Sequence, residues 1–156
     1  MAMVVREHFA HVPNITILGT DLGADVLARA RTGNFSQFDV NRGVPTRMLV
    51  KHFTRAGTQW QATDELRRMV TFRQLNLARP FDSVPPMDIV FLRNVLIYFD
   101  MATKARVLGR VAKVLRPRGY LFLGGSETTY GITDSFERVH VGAKSVCYRL
   151  DQVKAG

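Results

Sequence analysis

Short β-branched or continuous apolar runs alternate along the chain with segments whose apolar positions recur every three to four residues, the pattern of strands interleaved with helices. Residues 2–11, apolar at Met3, Val4 and Phe9 with polar positions between, read as the end of a helix that stops before Pro13. Ile15 to Thr20 is a β-branched run ending at Asp21, and residues 24–32 then form a helix closed by Gly33. From Asn34 to Gln61 the periodicity fades and the stretch reads as an insertion. It contains a break at Gly43-Val44-Pro45, a short helix at 46–53, a turn at Arg55-Ala56-Gly57-Thr58 and a hairpin strand around Trp60, Gln61 and Ala62. Val70 to Leu75 alternates at period two and predicts a strand. Met87 to Leu92 is nearly continuous apolar sequence, as expected of a parallel strand covered on both faces. Asp100 suits the N-cap of a helix over 101–115, whose Val107, Leu108, Val111, Val114 and Leu115 make one apolar stripe. Arg116-Pro117-Arg118-Gly119 should end that helix, and Tyr120 to Gly124 should form the next strand. Residues 136–141 and 145–150 have the spacing of an antiparallel pair turned at Gly142.

This order of elements predicts an α/β sheet, and the 46% of hydrophobic residues among 156 supplies enough apolar side chain for a core. Cys147 is the sole cysteine, so no internal disulfide forms, and a reducing compartment fits. His8, His11, His52 and His140 lack metal-ligand spacing with carboxylates or with Cys147, so no metal is expected. No apolar run approaches the roughly 20 residues that span a bilayer, which predicts a cytoplasmic protein without membrane insertion. Charge is uneven. Of the net +9, residues 42–79 carry +6 (eight Lys/Arg against Asp64 and Glu65), while residues 1–41 sum to −1 and 80–156 to +4. Such a patch attracts phosphates and protein carboxylates alike. Nucleic acid is not the expected partner, because aromatic interleaving is limited to Phe53 and Trp60 and no recognition motif is present.

Polar residues cluster at four strand exits: Asp21, Asn76, Arg93-Asn94 and Ser126-Glu127. Open parallel sheets bind ligands at the carboxyl ends of their strands, and one carboxylate there can accept from two neighbouring ribose hydroxyls. An aspartate in that position also serves as the N-cap of a following helix, so the joint pattern carries more than any single residue.

Five blocks of the sequence carry a resemblance. They are Thr20-Asp21-Leu22, Asn41-Arg42-Gly43-Val44-Pro45, Asn76-Leu77, the run Phe91-Leu92-Arg93-Asn94-Val95-Leu96-Ile97-Tyr98-Phe99-Asp100, and Tyr120-Leu121-Phe122-Leu123-Gly124-Gly125-Ser126-Glu127. Together, over about 15–150, they resemble the chemotaxis-receptor methyltransferase family (CheR), protein-glutamate O-methyltransferases. The resemblance implies a class I S-adenosylmethionine-dependent methyltransferase fold, Rossmann-like, with S-adenosylhomocysteine as the product. It implies methyl ester formation on glutamates of methyl-accepting chemotaxis receptors. By position, Asp21 matches the ribose-binding acid, Asn76 and Leu77 the pair near the adenine, Arg93 and Asn94 the residues beside the cofactor's amino-acid end, and Tyr98 the catalytic tyrosine facing the methyl group. The family's small antiparallel insertion, which helps dock the receptor, corresponds to about 50–70, within the basic patch, whose charge would complement glutamate-rich helices.

The same resemblance sets residues 1–156 out as an incomplete, apparently truncated catalytic domain. The family's first strand, its glycine-rich loop and the upstream helical domain with its substrate-placing arginine have no counterpart before Asp21. A missing central strand would leave unpaired backbone groups costing about 1–3 kcal/mol each where buried. Sheet rearrangement, or a homodimer formed by strand exchange, would close that gap. Two functional readings follow: a protein-glutamate methyltransferase, or a non-catalytic receptor- or partner-binding module derived from one.

Overall fold

The computed structural model describes residues 1–142 and 145–151 and divides into two compact units, Met1–Asn76 and the chain from Leu77 onward. Ala143 and Lys144, next to the expected turn at Gly142, lie outside the described residues.

In the first unit, α1 (Ala2–His8) precedes β1 (Ile17–Asp21), α2 (Ala24–Thr32), β2 (Asn34–Ser36), α3 (Gln37–Asn41), α4 (Thr46–His52), β3 (Phe53–Ala56), β4 (Gln59–Ala62), α5 (Asp64–Arg68) and β5 (Val70–Gln74). β1 and β5 pair in parallel from Ile17 opposite Val70 to Asp21 opposite Gln74, so their carboxyl ends coincide. α2 ends where expected: Gly33 adopts the left-handed conformation at φ 68 and its N–H donates to the Ala30 carbonyl at 3.1 Å. A Cβ at Gly33 would also sit 3.0 Å from the Arg67 side chain. Gly33→Ala is therefore expected to cost ~1–2 kcal/mol, read as a lower urea midpoint, because an L side chain disfavours this backbone region.

The insertion is a three-stranded antiparallel sheet in the order β2-β4-β3, with Gly57 at φ 61 in the tight turn between β3 and β4. Phe35 packs edge-on against Phe53 at 5.6 Å, the Arg55 guanidinium lies 5.8 Å over the Trp60 ring, and Trp60 Nε1 donates to Gln37 Oε1 at 2.9 Å. Periodicity does not announce β2, α3 or α5. The start of α3 nevertheless has a local signal, the Ser36-x-x-Asp39 capping box: the Asp39 amide donates to Ser36 Oγ at 3.1 Å and the Ser36 amide to Asp39 Oδ2 at 3.0 Å. α1 is held by polar contacts: Glu7 Oε1 lies 2.9 Å from His52 Nε2 and 2.7 Å from Lys51 Nζ, and Arg6 pairs with Glu65. Hydrogen bonds from Lys51 and His52 outweigh desolvation and hold the Glu7 carboxyl below its ordinary value.

The second unit contains β6 (Met87–Leu92), a single 3-10 turn (Leu96–Tyr98), α6 (Met101–Val114), β7 (Leu115–Leu123), β8 (Phe136–Val141) and β9 (Ser145–Leu150), in the sheet order β6-β7-β9-β8. β6 and β7 are parallel and the rest antiparallel. Asp100 is the N-cap of α6, with its Oδ1 accepting the Thr103 amide at 2.7 Å. Val107, Leu108, Val111 and Ala112 are buried on that helix.

α6 already ends at Val114 and β7 begins at Leu115, so residues 116–119 do not end the helix but form an irregularity in the strand: Met87 lies opposite Leu115, while Ile89 lies opposite Tyr120. Pro117 has no N–H for the ladder, Arg118 takes φ 63, and a Cβ on Gly119 would come within 3.1 Å of the Asp88 carbonyl, so the chain bulges there. β6 is also not covered on both faces within its unit. Leu92 and Leu121 share the buried side, whereas Ile89 and Phe91 are 48% and 46% exposed, with Phe91 stacked on Phe122 at 4.8 Å. An alternation of this kind marks a sheet with one buried face.

Candidate functional site

The parallel register of β1 and β5 brings the first two candidate residues to one end of a sheet. Asp21 is the last residue of β1, and Asn76 lies two residues beyond the end of β5. The Leu75 amide donates to the Asp21 carbonyl at 2.9 Å and Gln74 Nε2 to the Leu22 carbonyl at 2.9 Å, which ties the two strand exits together. Asp21 Oδ1 accepts the Gly23 amide at 2.7 Å, so the carboxylate stands at the entrance to α2 while remaining exposed. It combines a local turn just ahead of α2, whose N-cap is Gly23, with an accessible acceptor.

In the second unit, Leu77 is half-buried and its carbonyl accepts Arg110 Nη1 of α6 at 2.8 Å. Arg93 and Asn94 follow β6 directly and are exposed. Asn94 is left-handed, at φ 58, a conformation asparagine tolerates better than most residues. Tyr98 closes the 3-10 turn with its side chain 79% exposed.

Glu127 is the organising residue that the strand-exit pattern includes without giving it a role. It is 9% exposed, the one buried acidic residue among the described residues. Oε2 accepts the amides of Asn94 and Gly124, each at 2.7 Å, and Oε1 accepts those of Val95 at 2.9 Å and Leu96 at 2.8 Å. One carboxylate thus joins the exit of β7 to the exit of β6. Burial alone would raise its pKa, but four main-chain donors outweigh that and hold the carboxyl below its ordinary value. Gly124 makes room for the arrangement, since a Cβ there would lie 2.5 Å from Asn94 Oδ1 and 2.6 Å from Glu127 Oε2. The bond from Gly124 to Glu127 spans three residues and has a local signature; the bonds to residues 94–96 depend on the parallel pairing of β6 with β7.

In each unit a parallel strand pair ends in polar loops, as the strands of open α/β sheets do at their carboxyl ends. The structure is similar to an O-methyltransferase family protein from Burkholderia thailandensis, with a TM-score of 0.50, 17% identity, and coverage of 96% of this chain and 46% of that one. The fold is that of the class I S-adenosylmethionine-dependent methyltransferases. The family described as "CheR methyltransferase, SAM binding domain" matches residues 1–144, and the chain belongs to it. It is 36% identical over 140 residues to "Chemotaxis protein methyltransferase 1" of Vibrio cholerae, covering 89% of this chain and 50% of that protein. It is 35% identical over 136 residues to the protein of the same name from Pseudomonas aeruginosa, covering 86% and 49%. The chain spans about half the length of the curated relatives it matches. S-adenosylmethionine is the cofactor of the family. Among the described residues no helix is long and apolar enough to cross a membrane, and no group of three or more His, Cys, Asp or Glu could hold a metal ion.

Proposed function

We propose that this chain is the cofactor-binding catalytic part of a cytoplasmic protein-glutamate O-methyltransferase that modifies chemotaxis receptors. The observation that carries the reading is the family match over residues 1–144, and the loop Arg93–Leu96, organised on Glu127, supports it. Residues 50–70 would form the receptor-docking insertion, where the positive charge of Arg55 and Arg68 suits an acidic helix, Lys51 and Arg67 being paired with Glu7 and Asp64.

Within each unit, the chemistry of the candidate residues suits the part of the cofactor that the resemblance gives them. The Asp21 carboxylate is exposed beside a helix entrance, where it would accept the ribose hydroxyls. Asn76 and Leu77 match the pair near the adenine. Arg93 and Asn94, exposed on a loop of fixed backbone, would hold the amino-acid end. When bound, S-adenosylmethionine supplies an electrophilic methyl group on a sulfonium. A glutamate side chain has a reference pKa near 4.3 and is ionised at neutral pH, so the protein has no need of a strong general base. Its task is alignment, and the Tyr98 hydroxyl would orient the incoming carboxylate. A weak hydrogen bond serves better than a strong one, because a strong bond would stabilise the nucleophile in its ground state.

Calorimetry with S-adenosylhomocysteine tests the reading. The chain is expected to bind it, and Asp21→Ala to weaken binding by about tenfold or more, since one carboxylate accepting two hydroxyls contributes roughly 1.5–3 kcal/mol. Unchanged affinity in Asp21→Ala would remove Asp21 from the site. No heat from the wild-type chain, with receptor binding retained, would favour the second reading, a non-catalytic receptor- or partner-binding module.

A further inference from the structure

We propose that ionised Glu127 is a positioning residue that sets, through the main chain, the direction in which Arg93 and Asn94 present their side chains to the amino-acid end of the cofactor. The inference rests on the cofactor reading above. Three consecutive amides, those of Asn94, Val95 and Leu96, converge on its two oxygens, and the left-handed backbone at Asn94 is what turns them to one side. Successive main-chain N–H groups arranged around such a turn form a concave anion site. Here the anion is a side chain of the same unit, delivered from the exit of the neighbouring strand and clasped also by the Gly124 amide. The loop that carries Arg93 and Asn94 therefore has its conformation fixed by a charge beneath it, and the two side chains at its surface stay available for a ligand.

Glu127→Gln separates charge from shape. A carboxamide has nearly the same outline, but its nitrogen is a donor. Whichever way it is rotated, one pair of main-chain N–H groups, Asn94 with Gly124 or Val95 with Leu96, would face NH2 where an acceptor is needed. The loop should lose its fixed direction while the sheet below persists.

The test uses two ligands. S-adenosylhomocysteine has the amino-acid end, and 5′-methylthioadenosine lacks it. Relative to wild type, Glu127→Gln is expected to weaken S-adenosylhomocysteine about tenfold or more and to leave 5′-methylthioadenosine within about twofold, a difference of one or two charged hydrogen bonds. In parallel, the amide protons of residues 94, 95, 96 and 124 should move upfield in the NMR spectrum of the variant. Equal affinity of wild type and variant for both ligands would overturn the inference, as would a parallel loss for both, which would mean a merely structural role. Should the glutamine variant fail to fold, Glu127→Asp, which keeps the charge but shortens its reach, must show the same selective loss, and a non-selective result there overturns the inference equally. A wild-type chain that binds neither ligand would instead sink the cofactor reading, and the positioning role with it.

Discussion

Gly124→Ala is expected to destabilise the protein by ~3 kcal/mol at neutral pH, because overpacking and a displaced charged hydrogen bond each cost of that order. The added methyl would occupy space 2.5 Å from Asn94 Oδ1 and 2.6 Å from Glu127 Oε2. Exposed side-chain ends swing aside at little cost, but this carboxylate is tied to four amides and cannot move without releasing some of them. The loss should depend on pH in a definite direction. Glu127 has a lowered pKa in the folded protein, so its stabilisation is fully present above the ordinary glutamate range and disappears as pH falls through the lowered folded value. The difference between wild type and Gly124→Ala should accordingly be constant from neutral pH to about pH 5 and narrow below the ordinary range. Urea denaturation at a series of pH values measures it. A difference that does not change with pH would show that steric crowding alone accounts for the loss.

Leu121→Ala should cost a similar ~3 kcal/mol, for a different reason: a fully buried leucine leaves a cavity when truncated. Leu121 has 0% exposure and lies in β7, paired with Val90 on one side and Tyr148 on the other. Ile89 is a neighbouring apolar residue on β6 but 48% exposed, so Ile89→Ala should cost ~1 kcal/mol or less by the area it removes from water. Native-state hydrogen exchange of the β7 and β9 amides, compared between the two variants, checks the ordering. Equal effects would mean that the face carrying Ile89 is as well covered as the one carrying Leu121.

Local signals made much of the secondary structure legible. Gly33 closing α2, Asp100 opening α6, the turn at Gly57 and the strands at 70–74, 87–92, 136–141 and 145–150 rest on interactions between residues close in the chain, or on an alternation that short-range order imposes. The short elements β2, α3 and α5 escaped because three to five residues are too few for a period to show. The capping pair at Ser36 and Asp39 was there to be read. At 116–119 the sequence indicates an interruption but not its form, since the bulge depends on how Gly119 approaches the Asp88 backbone across the sheet.

The sequence by itself determined which residues are proposed for the chemistry. Asp21, Asn76, Arg93, Asn94 and Tyr98 stand out as candidates because strand ends are visible in the hydrophobic pattern and because the blocks that hold them resemble one family. Only the tertiary structure decided what holds the Arg93–Asn94 loop in place. Glu127 lies 31 to 33 residues from the amides at 94–96, and nothing short of the pairing of β6 with β7 brings its carboxylate beneath them. A periodic pattern records which side of an element is buried, whereas four donors meeting one acceptor is a convergence in space that no period along the chain encodes.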